Sequence, residues 1–286
     1  MAAQRRWRFL LVDVDGTLLD SQGRVSARNL AVLREAVSAG LTLVLATGRT
    51  AVSLQGVTSG LDFPFHCITN GGAVGLAPDH SPIYTRFLPA PLWPRIVQDL
   101  LAEGLSPAVF AHRHPESPEV WISSGRGDPH FESYVSRNRA LVRIERDLPG
   151  AEVADVVEVA ALGSGEAFDV ASSRVRARFA QESENHTMVL FIAARFGKIT
   201  EFFAPGVSKW DAFTGMFPDA AARPESVIAI GDEANDHEMI ASAGLGIAMG
   251  NAIDSLKAVA RQVTAGHDHD GLAEALEPIL AGLRRN

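Results

Sequence analysis

Short continuous apolar runs alternate with stretches of helical period along this chain, and the alternation breaks once, in the middle. RFLLVDV (8–14) and LTLVLATGR (41–49) carry uninterrupted apolar runs of strand length, the pattern of β-strands covered on both faces. Between them Leu30, Leu33 and Val37 recur at helical spacing as one apolar face, with Ser26 placed to cap the helix and Gly40 to stop it. After a further helical stretch, CITN (67–70) is a third strand ending at the turn-forming Asn70-Gly71-Gly72. Strand, helix, strand, helix, strand predicts a parallel sheet with right-handed crossovers.

Near residue 80 the pattern changes. AVFAHR (108–113), EVWIS (119–123), DVVEVAAL (155–162) and HTMVLFIAA (186–194) are strand candidates with more alternation and longer polar connections. WPRIVQDLLAEG (93–104), FESYVSRN (131–138) and SSRVRARFAQE (172–182) are helical candidates among them. This reads as a second α+β unit with a sheet covered on one face. The first pattern then returns: SKWDAFTGMF (208–217) as a helix, SVIAIGD (226–232) as a buried strand, NDHEMIASA (235–243) as a helix ended by Gly244, and GIAM (246–249) as a short strand. DSLKAVA (254–260) and GLAEALEPILAGL (271–283) close the chain as helices. The expected domains are a core of 1–79 with 204–286 and an insert of 80–203. No internal repeat or low-complexity tract interrupts this reading.

Composition narrows the class. With 286 residues, 47% hydrophobic and 21% charged, the chain can bury a sizeable core. A net charge of −8 argues against nucleic acid or an anionic membrane surface as partner, since both require a basic face. The single cysteine, Cys67, sits among apolar neighbours and reads as a buried structural thiol in a reducing, cytoplasmic setting. The basic N-terminus resembles the start of a signal peptide, but Asp13 cuts its apolar run short. No stretch approaches the roughly 20 apolar residues of a membrane span.

The candidate chemistry lies at strand ends, where parallel sheets bind ligands. Four polar clusters fall there: Asp13-Val14-Asp15-Gly16-Thr17, Thr47-Gly48-Arg49, Asn70-Gly71-Gly72 and Gly231-Asp232-Glu233-Ala234-Asn235-Asp236. Each alone reads as a turn or a helix cap. On neighbouring strands they would bring three or more carboxylates together beside one arginine, and carboxylates at that distance require a cation. Oxygen ligands alone point to Mg²⁺.

DVDGT, ATGR, the lysine of GVSKWDAF and GDEANDHEM, in that order, resemble the four signature segments of haloacid dehalogenase-like (HAD) phosphohydrolases. The tail GIAMGNAIDSLKAVARQVTAGHDHDG, with the large insert after the third strand, resembles the Cof-type subgroup. The resemblance covers nearly the whole chain. It implies an α/β protein with a Rossmann-like parallel-sheet core and an inserted α/β (α+β) cap. It implies a Mg²⁺-dependent phosphomonoester hydrolase acting on a small phosphorylated metabolite, such as a sugar phosphate or a phosphorylated cofactor. Asp13 would be the nucleophile that forms an aspartyl-phosphate, and Asp15 the acid and base, with Gly16 permitting the sharp exit and Thr17 holding Asp15. Thr47, Gly48, Arg49, Lys209 and Asn235 would line the phosphate, Arg49 with holding its own loop as the alternative. Asp13, the Asp15 carbonyl and Asp232 would hold Mg²⁺, and Asp236 would orient Lys209 or a metal-bound water. Trp210 stands where the family has a small residue and would narrow the space beside Lys209. Two other readings stay open: a phosphotransferase or phosphomutase using the same aspartyl-phosphate, and a non-catalytic phosphate-binding regulator.

Other features read blandly. Glu233 is an exposed helix-start carboxylate. GLGIAMG (244–250) and GSGEAF (163–168) lack the spacing of a dinucleotide-binding loop and lie outside a strand-to-helix turn. His112 with His114, and His267 with His269, lie in polar loops without cysteine partners and read as solvated rather than zinc-binding. Asp270-Gly271 reads as a turn before the last helix, and the arginines of 172–182 as a solvated helix face.

Overall fold

The computed structural model describes residues 7–112, 120–123, 128–180, 187–193 and 197–284. The chain divides into two compact units, Met1–Thr85 with Ser208–Asn286, and Arg86–Val207. The first unit opens with β1 (Phe9–Asp13), buried at every position, then α1 (Ala27–Ser38), β2 (Thr42–Ala46), α2 (Ala51–Thr58) and β3 (His66–Thr69). Asn70–Gly72 is a turn of 3₁₀ helix, followed by the short antiparallel strands β4 (Val74–Leu76) and β5 (Pro82–Thr85). Ser26 caps α1 by accepting from the Asn29 N–H. The buried stripe of α1 is Asn29, Val32, Leu33 and Ala36, one position around from the expected Leu30–Leu33–Val37 face. The reason is Asn29, whose Oδ1 accepts from the Ala273 N–H at 3.1 Å and draws that side of the helix inward.

The inserted unit holds α3 (Trp93–Ala102), β6 (Pro107–Ala111), β7 (Val120–Ser123), α4 (Pro129–Arg137), β8 (Val142–Glu145), β9 (Val156–Gly163), α5 (Gly165–Phe179), β10 (Thr187–Ala193) and β11 (Gly197–Phe203). Its six strands run in the order β10-β11-β9-β6-β7-β8, antiparallel except for the parallel β7–β8 pair. Trp93, Ile96 and Leu100 of α3 and Phe168, Val175 and Phe179 of α5 form one core with Val109, Trp121 and Val159 of the sheet. The sheet is not bare on its other side, as one-sided alternation implied: Phe110, next to Val109 in β6, packs its ring against Tyr134 of α4 at 6.2 Å. GSGEAF does occupy a strand-to-helix turn, since only Ser164 separates β9 from α5. Phe168 stands where a third glycine would be, and its ring fills the space beside Gly163, where a Cβ would lie 2.3 Å from it. Helix α5 also starts seven residues before the expected 172, and its Arg174 and Arg178 pair with Glu103. Residues 181–182 and His114 lie outside the described residues.

The chain returns to the first unit as α6 (Lys209–Met216), α7 (Pro218–Ala222), β12 (Val227–Gly231), α8 (His237–Ser242), β13 (Leu245–Ala248), α9 (Asp254–Val259), β14 (Gln262–Val263) and α10 (Gly271–Leu283). Asp270, in left-handed backbone, turns the chain into α10. The eight strands of this sheet run β14-β13-β12-β1-β2-β3-β4-β5, and the six from β14 to β3 are parallel. This is an α/β unit with a Rossmann-like core. The expected insert of 80–203 begins too early and ends too early, because β5 pairs with β4 in the larger sheet and the second unit runs on to Val207. Among the described residues no helix is long and apolar enough to cross a membrane.

Helix α6 is anchored by Phe213, fully buried, whose ring meets Phe9 at 5.5 Å, Phe217 at 5.5 Å and Trp210 at 5.4 Å. Phe213→Ala is expected to destabilise the protein by about 3–5 kcal/mol, the usual cost of truncating a buried aromatic. Equilibrium denaturant unfolding measures it.

Candidate active site

Strands β12, β1, β2 and β3 are consecutive neighbours, so all four polar clusters share one edge. From β1 the chain moves to one side through β2 and β3, and the later strands extend the other side. The strand order therefore reverses between β1 and β12, the position where open parallel sheets form a crevice. Asp13 is the last residue of β1, and Asp232 is the first after β12.

Gly16 makes this convergence possible. Its φ is +83°, and a Cβ there would sit 2.2 Å from Asp232 Oδ2. The chain turns sharply after Asp15 and brings Asp232 against the bare backbone. Gly72 does the same for Lys209: with φ at +118°, a Cβ would lie 2.2 Å from the Ser208 carbonyl oxygen. The turn after β3 is thus the seat of the N-terminus of α6, where Ser208 caps the helix by accepting from Asp211 N–H at 3.0 Å.

Lys209 is the first residue of α6 and is 1% exposed. A cation at a helix N-terminus opposes the helix dipole, and a buried ammonium needs partners for all three of its protons. Nζ donates to Asp13 Oδ1 at 2.6 Å, to Asp236 Oδ1 at 2.6 Å and to Asn235 Oδ1 at 3.4 Å. Burial alone would lower the Lys209 pKa; the adjacent Asp13 and Asp236 charges outweigh it and hold the amine protonated. Asp236 is fully committed, because its Oδ2 accepts from the N–H groups of Asp232 and Glu233 at 2.9 and 3.0 Å. Asp236 therefore fixes Lys209 on one side and the β12 exit on the other. Glu233 caps the short 3₁₀ turn Ala234–Asp236 and is half-buried rather than fully exposed.

Asp232 is held through both oxygens. Oδ1 accepts from the Thr17 hydroxyl at 2.9 Å and Oδ2 from Asn251 Nδ2 at 3.1 Å. This corrects the expectation for Thr17, which grips Asp232 rather than Asp15. Asp15 instead forms a two-point ion pair with Arg49, whose Nε and Nη2 donate at 2.7 and 2.6 Å. Lying beyond the end of β1, Asp15 is free of strand alternation and its side chain is 54% exposed, whereas Asp13 is buried. Thr47 is buried just past β2, and its hydroxyl accepts from the Arg49 N–H at 3.1 Å. Its carbonyl accepts from Gly71, and the Arg49 carbonyl from Asn70, so the turn after β3 also shapes the Thr47-Gly48-Arg49 loop. A Cβ at Gly48 would meet nothing within 4 Å.

Asp13, Asp232 and Asp236 each offer an oxygen within 4.8 Å of the others, and the Asp15 carboxylate is outside that group. Three buried carboxylates face one ammonium. Burial, then the charge of Asp236, pushes Asp13 well above the usual carboxylate range, and the same two causes push Asp232 up to about 7. Asp13 Oδ2 is buried without a hydrogen-bond partner. Three buried carboxylates against one ammonium make an all-oxygen set with surplus negative charge, which fits a hard divalent cation such as Mg²⁺.

Comparison with known proteins agrees with this architecture. The family described as haloacid dehalogenase-like hydrolase matches residues 10–276. The chain belongs to the haloacid dehalogenase-like hydrolases. Among related HAD proteins, the Bacillus subtilis (strain 168) 5-amino-6-(5-phospho-D-ribitylamino)uracil phosphatase YwtE is 25% identical, over 96% of this chain and 99% of the relative. The chloroplastic endoribonuclease YBEY of Arabidopsis thaliana is also 25% identical over 95% of this chain, but the chain spans only 46% of that protein. The crystal structure of a haloacid dehalogenase-like hydrolase from Bacteroides thetaiotaomicron superposes with a TM-score of 0.78 at 25% identity, covering 96% of this chain and 99% of that one.

Asn251 was not foreseen from sequence. Its signal was the GNA segment quoted within the tail, read there for resemblance and not for chemistry. His112 is half-buried, and burial lowers its pKa; its N–H donates to the Asp155 carbonyl. His267 and His269 flank Asp268 in a 3₁₀ turn, and neither histidine joins a group able to hold a metal among the described residues.

Because the folded state raises the Asp13 pKa, its ionised form opposes folding at neutral pH. Asp13→Asn is therefore expected to raise the melting temperature of chelator-treated protein at pH 7–8. Lys209→Met, which strands two buried carboxylates, is expected to lower stability by about 3–5 kcal/mol. Thermal and denaturant unfolding in chelator distinguish the two.

Proposed function

We propose that the protein is a Mg²⁺-dependent phosphatase that hydrolyses small phosphate monoesters through an aspartyl-phosphate on Asp13. The observation that carries this reading is the Asp13 carboxylate itself: one oxygen is held by Lys209 and the other is buried with nothing bonded to it. A carboxylate fixed by one oxygen and bare at the other is prepared for attack. The Bacillus relative is also a phosphatase, named for a small phosphorylated metabolite.

In this reading Asp13 Oδ2 bonds to phosphorus as the ester P–O bond breaks, and Asp15 gives its proton to the departing alkoxide. Asp15 then takes a proton from water, whose oxygen attacks phosphorus and releases Asp13 and inorganic phosphate. Both Asp15 oxygens accept from Arg49, so proton delivery by Asp15 requires giving up part of that pairing. Arg49 thus serves the acid–base residue; contact with phosphate is the smaller part of its task. Lys209 and Thr47 direct donors at the phosphoryl oxygens where charge accumulates, with Gly48 leaving room and Asn235 beside the amine. Mg²⁺ would be held by Asp13, the Asp15 carbonyl and Asp232, and would supply positive charge that lowers repulsion between the nucleophile and the phosphate dianion. The single thiol, Cys67, is buried with its pKa pushed up to about 12 by burial, and so is inert, as suits a cytoplasmic enzyme.

Hydrolysis of an aryl phosphate is expected only with a divalent cation present, and to vanish in Asp13→Asn. Activity undiminished in excess chelator, or retained in that variant, would refute the mechanism. Lys209→Ala is expected to lose at least ~10²-fold in kcat, as for removal of one preorganised donor; a change under tenfold would remove Lys209 from the reaction.

A further inference from the structure

The side chain of Asn251 joins three segments that are far apart in sequence. It lies just beyond β13 and is exposed. Nδ2 donates to the Gly16 carbonyl at 2.9 Å and to Asp232 Oδ2 at 3.1 Å, and Oδ1 accepts from the His267 N–H at 2.9 Å. Both amide protons and the acceptor are therefore in use. The segment that contains His267 is itself tied to the chain beyond β1: Asp268 Oδ1 accepts from the Ser21 N–H at 2.8 Å, and Asp270 Oδ1 from the Ser26 hydroxyl at 2.5 Å. Asn251 thus has a fixed base on one side and, on the other, the two places where the chain must hold still: the carboxylate of Asp232 and the backbone one residue after Asp15.

The chemistry of the donors matters. Asp232 is oriented through Oδ1 by a hydroxyl and through Oδ2 by an amide, both neutral. A lysine or arginine in either place would fix the carboxylate equally well but would cancel its charge. Two neutral donors set the plane of the carboxylate and leave its charge available to a cation. The second amide proton, on the Gly16 carbonyl, fixes the peptide chain next to the Asp15 carbonyl. One exposed side chain therefore aligns two of the three groups assigned to the metal.

We propose that Asn251 is a positioning residue for divalent-cation binding, holding Asp232 and the Asp15–Gly16 backbone in register from outside the cluster. The proposal rests on the Mg²⁺ reading of the site. Its exposure predicts that removing the amide leaves the fold intact, and its bonds predict that the loss falls on metal affinity.

Titration of Mg²⁺ into chelator-stripped protein, followed by calorimetry, tests this without turnover. Asn251→Ala is expected to weaken Mg²⁺ binding by about 10-fold or more, in the range for loss of a group that orients a metal ligand. Asn251→Gln, which keeps both donors on a longer stem, is expected to recover part of the affinity. In aryl phosphate hydrolysis the alanine variant should require more Mg²⁺ for half-maximal rate, with the deficit largely recovered at saturating Mg²⁺. Asn251→Ser reads the same quantity should the alanine variant fold poorly. Wild-type binding with affinity within about threefold in Asn251→Ala and Asn251→Ser, or a deficit that saturating Mg²⁺ does not reduce, overturns the role of Asn251 alone. Failure of the wild-type protein to bind Mg²⁺ overturns the metal reading beneath it.

Discussion

A single ammonium group buried among carboxylates constrains the rest of the core. Lys209 stands at the positive end of a helix, inside the protein, a placement that both the helix dipole and desolvation oppose. It is tolerable only because Asp13, Asp236 and Asn235 each accept a hydrogen bond from it. Those partners come from the ends of β1 and β12, so the amine stitches together strands separated by about two hundred positions in the sequence. Asp13 and Asp232 are in turn pushed toward protonation by burial and then by the charge of Asp236. The cluster is a local violation of the rules that stabilise the surrounding sheet, and such violations concentrate where chemistry is done.

The backbone accommodates the cluster by leaving out side chains at two close approaches. Gly16 lets Asp232 reach the chain after β1, and Gly72 lets the start of α6 rest on the turn after β3. Both glycines have positive φ, so a substitution meets torsional strain as well as overlap. The register of the parallel strands then fixes the rest: Leu11 faces Ala229 and Val44, and the three strands end together at the crevice.

Much of this was legible because buried parallel strands announce themselves as short apolar runs. The ends of β1, β3 and β12 could be read within a residue, β2 stops at Ala46, three residues before the expected 49, and the four polar clusters follow from them. What could not be read is where side chains meet across long separations. Thr17 faces Asp232, 215 residues away, and no local pattern distinguishes that from a bond to Asp15. The apolar face of α1 was displaced by Asn29, a polar residue buried because it bonds to α10. Strands β4, β5 and β8 are three or four residues long, and β5 and β8 are partly exposed, so they leave little trace in hydrophobic period. Asn251 is exposed and polar, the kind of residue that pattern analysis passes over.

The inserted unit returns to the core at Val207, and the next two residues are the cap of α6 and the buried lysine. The seam of the insertion is therefore not symmetrical. At the outgoing junction, β5 is an edge strand tied to α6 through the Tyr84 hydroxyl, which donates to Asp211, whereas at the incoming one the Ser208 backbone is wedged against Gly72. A chimaera that exchanges this insert for another must keep Tyr84 on the outgoing side, and the donor sequence must stop before Ser208, or the graft displaces the helix that carries the amine on which the whole crevice is centred.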